Sequence, residues 1–305
     1  MNSSINPLVS IIIPTFNRVN IINYAIDSVL AQSYSNFELI IVDNNSNDKT
    51  LEKISAYKDK RIKVYVNHTG KAASTRNYGI NHASGDIIAL LDSDDTWIYN
   101  KLDLSVKAIL EGADFVYHSL YLKKQDSFFF NFFKFKIKSR ILNFPVHEDL
   151  FFNGNTICTS SVVFKKHLFS SSCQFRELPG LLGSEDYDLW LSISKITNKF
   201  VRLPNTLGYY TIGSDNLTTP LRNIDNIKCI LDHHNKKNNF IPEWSTYSFT
   251  TSYFKTKQFA LSLFFLKKLL KNNKFYFFNY KIIYILFILC IKHIYIKQNN
   301  YNENN

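Results

Sequence analysis

Glycine is scarce in this 305-residue sequence, with nine in all, and none is placed to make a phosphate-binding loop. No G-x-G-x-x-G follows an apolar run, so a dinucleotide-binding fingerprint is absent. Gly70-Lys71 has neither the earlier glycine nor the following Ser or Thr that a P-loop requires. H-E-x-x-H is missing as well, which removes the commonest zinc-hydrolase pattern. The four cysteines, Cys158, Cys173, Cys229 and Cys290, stand far apart with no C-x-x-C pair. That excludes a disulfide framework or a structural zinc site and leaves buried free thiols in a reducing compartment. A secretory leader is not expected, because the first basic residue is Arg18 and the apolar run Val9–Ile13 stops at Pro14. The longest uncharged apolar run near the C-terminus, Ile282–Ile291, is half of the ~20 residues that cross a bilayer. A cytoplasmic protein is the expectation.

What is plentiful is positive charge and aromatic surface. Lys and Arg number 36 against 25 Asp and Glu, for a formal net charge of +11, and aromatics make up 15% of the chain. Such a balance attracts polyanions, either nucleic acid or an anionic membrane. Its position narrows the choice. Residues 251–305 contain nine lysines, no arginine and one acid, Glu303, and residues 120–140 contain six bases and one acid. The rest of the chain is close to neutral. With 45% hydrophobic and 20% charged residues, that rest has the composition of a folded protein.

Periodicity assigns the first 120 residues to alternating strands and helices. Val9–Pro14, Phe37–Asp43, Ile62–Val66, Asp86–Asp92 and Asp114–His118 read as apolar strands. Helical spacing falls between them, after Asn20 as an N-cap and over 49–58, 71–82 and 100–110. This order predicts an α/β, Rossmann-like, mostly parallel sheet with helices on both faces, which binds ligands beyond the carboxyl ends of its strands. Farther on, 156–164 reads as a strand, 184–195 as a helix, and 200–203 and 207–212 as short strands. The stretch 127–140 reads as a mobile insertion, and the chain beyond Leu221 as helical.

Two predicted strands end in aspartate, Asp43 and Asp92, and the second opens the cluster Asp92, Asp94, Asp95. Carboxylates so crowded repel one another. A solvated acidic turn would tolerate them, but at a strand's carboxyl end they suit a hard divalent cation that also binds phosphate oxygens. A second acidic pair, Glu185-Asp186, follows Ser184, a residue type that caps helices and would place both carboxylates in a first turn.

Four segments now carry a resemblance: PTFNR (14–18), IVDNNSNDKT (41–50), TRNYGINHASGDIIALLDSDD (75–95) and GSEDYDLW (183–190). In this order and spacing they resemble the family 2 glycosyltransferases, over roughly residues 7–215. The resemblance implies a GT-A-type fold and an inverting, metal-dependent sugar transfer. It implies that Pro14, Thr15, Asn17, Arg18 and Asp43 hold the donor's base and ribose, with Asp43 accepting from the uracil N–H, and that Arg76 and Asn77 lie beside the nucleotide. Asp92 and Asp94 match a D-x-D motif: Asp94 would ligate Mn²⁺ or Mg²⁺ and Asp92 would contact ribose or a metal-bound water, with Asp95 able to share the role. Asp186 matches the catalytic base and Glu185 a residue that orients the acceptor. Asp188 and Trp190 follow as supporting and packing residues. Asn44 stands where many relatives have a second Asp, and Thr211 and Gly213 replace an Arg and a His, with Arg222 or a loop lysine as substitutes. His118, His147 and His167 read as structural or exposed.

The organisation expected is a transferase domain over 1–218, with a nucleotide-binding half at 7–120, a basic aromatic insertion at 121–140 and an acceptor half at 141–218. A helical amphipathic region at 219–298 and a disordered tail at 299–305 would follow. Lysines set among Phe, Tyr, Ile and Leu over 259–297 suit a helix lying in a membrane interface, whereas a nucleic-acid surface would use arginine too. The partners expected are thus a UDP-sugar donor, a lipid-linked saccharide acceptor and an anionic membrane surface, with no nucleic acid. The function expected is transfer of a hexose, glucose first, in β linkage to a saccharide on undecaprenyl diphosphate for O-antigen or other surface polysaccharide. The enzyme would be peripheral on the inner face of the bacterial inner membrane. A metal-dependent nucleotidyltransferase would also use clustered aspartates, but it needs a basic triphosphate grip that is not seen. A basic nucleic-acid-binding protein would explain the charge and not the carboxylates.

Overall fold

The computed structural model describes residues 6–124, 127, 131–213, 219–235, 241–272, 282–285 and 288. Residues 128–130 of the insertion, most of the chain from 273 onward and the expected disordered tail lie outside the described residues. Contacts divide the chain into two units, the first of residues 1–150, 155–178 and 184–216, the second of 151–154, 179–183 and 217–305.

The first unit is built on one sheet. β1 (Val9–Thr15), β2 (Phe37–Asp43), β3 (Ile62–Val66) and β4 (Ile87–Leu90) run parallel in the order β3-β2-β1-β4. β1 and β2 read as nearly continuous apolar runs because both of their faces are covered. On one face Val9, Ile11 and Ile13 share a core with Ile22, Ala25, Ile26 and Val29 of α1 (Ile22–Leu30) and with Leu102 and Val106 of α4 (Lys101–Leu110). α2 (Thr50–Ser55) adds Ile54 to that core. On the other face α3 (Ala72–Asn81) lies so close that a Cβ on Gly79 would come within 2.6 Å of Ile12 Cγ2 and 3.1 Å of Val42 Cγ2. The chain steps outward from β1 through β2 to β3 and then returns to β4 on β1's other side. The strand order therefore reverses between β1 and β4, where such sheets bind ligands.

The sheet continues as β8 (Val163–Lys165), β6 (Phe115–Lys124), β9 (Phe200–Ile212) and the short β5 (Thr96–Trp97), with β7 (Lys136–Ile137) on β6. β8 runs antiparallel to β4 and to β6, whereas β9 is parallel to β6. α5 (Val146–Asn153) and α6 (Glu185–Ile193) complete the helices that serve this unit. In the second unit α7 (Pro220–His234), α8 (Glu243–Lys255) and α9 (Phe259–Asn272) gather around Ile224, Ile227, Phe249 and Tyr253. No helix among the described residues is long and apolar enough to cross a membrane.

Several local expectations are corrected. The strand from Phe115 runs to Lys124 instead of stopping at His118. The two short strands at 200–203 and 207–212 are one strand of thirteen residues, β9. Pro204, which cannot donate to a ladder, falls where the pairing skips from Arg202 to Thr206. The strand expected over 156–164 is a single 3₁₀ turn, Thr159–Ser161, before the three residues of β8. Asn20 does not cap α1; Ile21 holds that position, and the N–H of Ile22 is met by the Arg18 carbonyl at 2.9 Å. The described part of the insertion is tied down, with β7 paired to β6 through Leu120–Ile137 and Tyr121–Lys136.

Candidate active site

At the carboxyl ends of β1 and β2, Thr15 stands opposite Asp43 in register. The loops that follow are laced together. Asn17 N–H donates to Ser46 Oγ at 2.9 Å, and Asn47 N–H donates to Asn17 Oδ1 at 3.0 Å. Asn17 has φ 51°, a left-handed conformation that asparagine adopts more easily than most residues. Arg18 N–H donates to Thr50 Oγ1 at 2.8 Å. The Asp43 carboxylate lies beneath this lacing, fully buried, with Ser46 N–H at 2.8 Å and Ser46 Oγ at 2.5 Å on its two oxygens. Pro14 precedes this corner on β1. Two polar atoms here, Thr15 Oγ1 and Asn44 Oδ1, are buried without a hydrogen-bond partner among the described residues. Such orphans call for a physical account, and a ligand's polar edge supplies one.

The acidic cluster begins just past β4. Leu91 N–H still bonds to the Ile12 carbonyl at 3.1 Å, so Asp92 is the first residue beyond the sheet, and Asp95 N–H closes a turn onto the Asp92 carbonyl at 3.1 Å. The three carboxylates then diverge. Asp92 accepts from Arg76 Nη2 at 2.6 Å. Asp95, 1% exposed, accepts from Ser160 Oγ at 2.5 Å on one oxygen and from Thr211 N–H at 2.9 Å on the other. Asp94, half-buried, accepts no hydrogen bond from the side chain of another described residue. Burial first, and then the Asp92 charge, raises the Asp94 pKa, with Arg18 and Arg76 opposing. Asp95 is pushed well above the usual carboxylate range by burial and by both neighbours. Ser160 is the post for the whole turn, because it also accepts from Asp92 N–H at 3.1 Å and its carbonyl accepts from Trp97 Nε1 at 2.7 Å.

This donor set fits a hard divalent cation. All the donors are carboxylate oxygens, one of them is untied, and their mutual repulsion is what a positive ion relieves. Among the described residues no three His, Cys, Asp or Glu side chains form a ready cage. Magnesium-like ions, however, are commonly held by one or two carboxylates and completed by substrate phosphates.

Arg76 of α3 joins this turn to the second acidic pair. The residue is 8% exposed, and its guanidinium donates to Asp92 at 2.6 Å and to Glu185 Oε1 at 2.9 Å and lies 5.5 Å from the centre of the Phe175 ring. Burial works against its charge, and the two carboxylates more than offset that. Glu185 and Asp186 open α6 and part ways: Glu185 turns to Arg76, whereas Asp186 accepts from Thr159 Oγ1 at 3.0 Å and from Tyr187 N–H at 2.6 Å. Desolvation and the charge of Glu185 raise the Asp186 pKa to about 6, with the Tyr187 N–H, Arg76 and Thr159 acting in the opposite direction. Near neutral pH such a carboxylate is mostly ionised and still a useful proton acceptor.

The structure thus brings Arg76, Asp92 and Glu185 into contact and sets Asp94, Asp95 and Asp186 next to them in the chain. Asn77 faces elsewhere. Its amide bonds the carbonyl of Phe175 at 2.7 Å and the N–H of Phe175 at 3.0 Å, which pins that ring's backbone and takes up both ends of the side chain. Ser184 sits at the N-cap position of α6 without a side-chain cap bond. Asp188 is fully buried and gripped by Arg176, and Trp190 packs edge-on against Phe115. His118 is buried with its pKa lowered to about 3, His147 is half-buried and His167 is exposed. Thr211 contributes its backbone N–H to Asp95. Thr159, Ser160 and Tyr210 were not anticipated; the carboxylates of Asp95, Asp92 and Asp94 add to burial in raising the Tyr210 pKa. The trace of Thr159 and Ser160 in the sequence is the hydroxyl run Thr159-Ser160-Ser161.

Comparison with known proteins speaks for the family and the fold. The profile for glycosyl transferase family 2 matches residues 10–171. A protein of Escherichia coli named as UDP-Glc:alpha-D-GlcNAc-diphosphoundecaprenol beta-1,3-glucosyltransferase WfgD is 37% identical over 193 residues, 63% of this chain and 71% of that one. The amylovoran biosynthesis glycosyltransferase AmsB of Erwinia amylovora is 32% identical over 211 residues, 66% of this chain and 68% of that one. An uncharacterized glycosyltransferase of Rickettsia typhi is 34% identical, with 61% of its length aligned. Among solved structures, S. aureus TarS residues 1–349 in complex with UDP-GlcNAc has a TM-score of 0.58 at 18% identity, covering 81% of this chain and 72% of that one. Mannosyltransferase PcManGT from Pyrobaculum calidifontis, in complex with GDP-Man and Mn2+, has a TM-score of 0.57 at 17% identity, covering 95% and 88%. At these identities the two structures speak for the fold, which is GT-A-type.

Proposed function

The chain belongs to glycosyl transferase family 2, and from that premise we propose that it moves a hexose, glucose first, from a UDP-sugar to a saccharide carried on undecaprenyl diphosphate, with inversion to a β linkage. The observation that carries the chemistry is the Arg76 bridge between Asp92 and Glu185. It joins the acidic turn to the start of α6, where Asp186 is poised with a pKa of about 6. The sugar and acceptor are supported by the name of the E. coli relative, and surface-polysaccharide assembly by that of the Erwinia one.

In this reading Pro14, Thr15, Asn17, Arg18 and Asp43 form the corner for the donor's base and ribose. Asp43 lies under Ser46, so Ser46 turns aside for a ring N–H to reach the carboxylate. The orphaned Thr15 Oγ1 and Asn44 Oδ1 gain partners from the donor. Asp94 would hold Mn²⁺ or Mg²⁺, because Asp95 has both oxygens engaged, and Asp92 would help to hold the ion or contact the ribose. The bound ion supplies Lewis-acid neutralisation of the diphosphate leaving group. Asp186 removes the proton from the acceptor hydroxyl as it attacks the anomeric carbon, and Glu185, held by Arg76, keeps that helix start in place. Asn77 acts at one remove by fixing Phe175. The lysine- and aromatic-rich tail holds the enzyme on an anionic membrane face, the cytoplasmic side of the inner membrane, where a lipid-linked acceptor is reached.

The test is a panel of UDP-sugars offered with a GlcNAc-diphosphate-polyprenyl acceptor in Mn²⁺ or Mg²⁺, with products read by mass and the new linkage by NMR. Addition of one hexose in β configuration is expected. Absence of transfer from every UDP-sugar would overturn the donor class, an α product the inversion, and undiminished transfer in EDTA the metal.

A further inference from the structure

We propose that residues 131–144 form a platform that seats on an anionic phospholipid surface. Five large apolar side chains of this short segment face solvent: Phe132 is 70% exposed, Phe133 67%, Phe135 48%, Ile141 71% and Phe144 81%. The first three rings touch one another, at centroid distances of 5.7 Å for Phe132 with Phe133 and 6.0 Å for Phe133 with Phe135. A contiguous apolar patch of this kind marks an interaction site.

The backbone beneath the patch is held firmly. Leu122 N–H donates to the Phe135 carbonyl at 2.7 Å, and β7 pairs with β6. Asn131 brackets Lys124, accepting from its N–H at 2.9 Å and donating to its carbonyl at 3.0 Å. On the far side Ser139 Oγ donates to the His118 carbonyl at 3.0 Å, and Asp149 accepts from Arg140 and from Asn143 N–H at 2.6 Å. The rings are therefore displayed by an ordered scaffold.

Charge identifies the occupant. Lys123, Lys124, Lys134, Lys136 and Lys138 lie within or beside this segment in the chain, and among the described residues none of them pairs with a carboxylate. The single arginine of the segment, Arg140, is committed to Asp149. Protein–protein interfaces favour arginine and are depleted in lysine, whereas the headgroup region of an anionic bilayer accepts lysine and aromatic side chains together. The use of this surface, to keep the active site beside a lipid-linked acceptor, rests on the function proposed above; the binding itself does not.

Full-length protein is floated with phosphatidylcholine vesicles made with and without phosphatidylglycerol. The wild type should partition onto the phosphatidylglycerol vesicles. The triple variant Phe132→Ser, Phe133→Ser, Phe135→Ser and, separately, Lys134→Glu with Lys136→Glu should each partition roughly tenfold less. With melting temperature unchanged, both should still glycosylate a short-chain, water-soluble acceptor while losing transfer to one embedded in vesicles. Wild-type partitioning by both variants would overturn the proposal. So would loss of self-association in sedimentation with vesicle binding intact, which would assign the patch to a second copy of the chain. If vesicle binding falls in the variants but no acceptor is ever glycosylated, the surface stands and the reaction assigned above fails.

Discussion

Arg76→Ala removes the only side chain seen to touch both acidic segments among the described residues, and its consequences can be worked from the geometry. The substitution takes an ion-pair partner away from Glu185, whose side chain is 8% exposed, and from Asp92, whose side chain is 27% exposed. Removing one partner of a buried ion pair costs about 3–5 kcal/mol. Water reaches Asp92, which places the expectation at the lower end, about 3 kcal/mol. For a unit of this size that is a fall in melting temperature of about 6–12 °C. Arg76→Lys keeps the charge but not the two-pronged grip, and should lie between wild type and alanine. Glu185→Gln should destabilise the wild type, where it weakens the pair with Arg76, and cost clearly less in Arg76→Ala, where that pair is already gone. That non-additivity is the signature of the bridge. Arg76 also holds the Asp186 pKa down, so its loss should move the acidic limb of the pH profile of kcat/KM to higher pH. Calorimetry or urea unfolding measures the first set and initial rates the second. An alanine variant that melts with the wild type and keeps its acidic limb would refute the coupling.

Four further outcomes are expected. With ionised Asp186 as the base, kcat/KM should fall tenfold per pH unit below about 6; a flat profile down to pH ~5 would remove Asp186 from that role. Asp186→Asn should abolish transfer yet raise stability at neutral pH. The folded protein binds that proton more tightly than the unfolded chain does, so this group favours the fold in acid and loses that contribution as pH rises from 3.8 through about 6, on the order of 3 kcal/mol at most. Asp94→Ala should fold normally and lose metal-dependent UDP binding by calorimetry, whereas Ser160→Ala, which unties Asp95 and the Asp92 N–H, should weaken metal affinity while binding UDP without metal as before. Lys101, fully buried over the Trp97 ring with no hydrogen-bond partner for Nζ among the described residues, has its pKa pushed well below the usual lysine range by burial. Lys101→Met should therefore raise the unfolding free energy by about 1–3 kcal/mol, and a loss of stability would show that the ammonium is held favourably.

The parts of the fold that could be read from residues are those in which local pattern and environment agree. β1, β2 and β3 follow from apolar runs, and α3 and α4 from helical spacing, to within a residue or two. Reading weakened where long-range pairing overrides propensity. β9 carries Pro204 inside a strand because a register shift against β6 accommodates it. Thr156–Phe164 looks like a strand, but the hydroxyls of Thr159 and Ser160 are drawn to Asp186 and Asp95, and the chain turns there.

The same division runs through the site. Asp43, Asp92, Asp94, Asp95, Glu185 and Asp186 announce themselves in the chain, because carboxylates crowded at a strand end repel one another without a ligand or a partner, and an adjacent pair after a capping serine marks a helix start. Their differing states do not. Asp94 is untied, Asp95 is locked, and Asp186 is raised to about 6. Those differences depend on which of Arg76, Ser160, Thr159 and the Thr211 N–H comes within hydrogen-bond reach, and these residues lie up to 116 positions away in the chain. Residue type and spacing determine which groups can ionise, whereas the distances that set each group's charge exist only once the sheet has brought β4, β9, Arg76 of α3 and the start of α6 together.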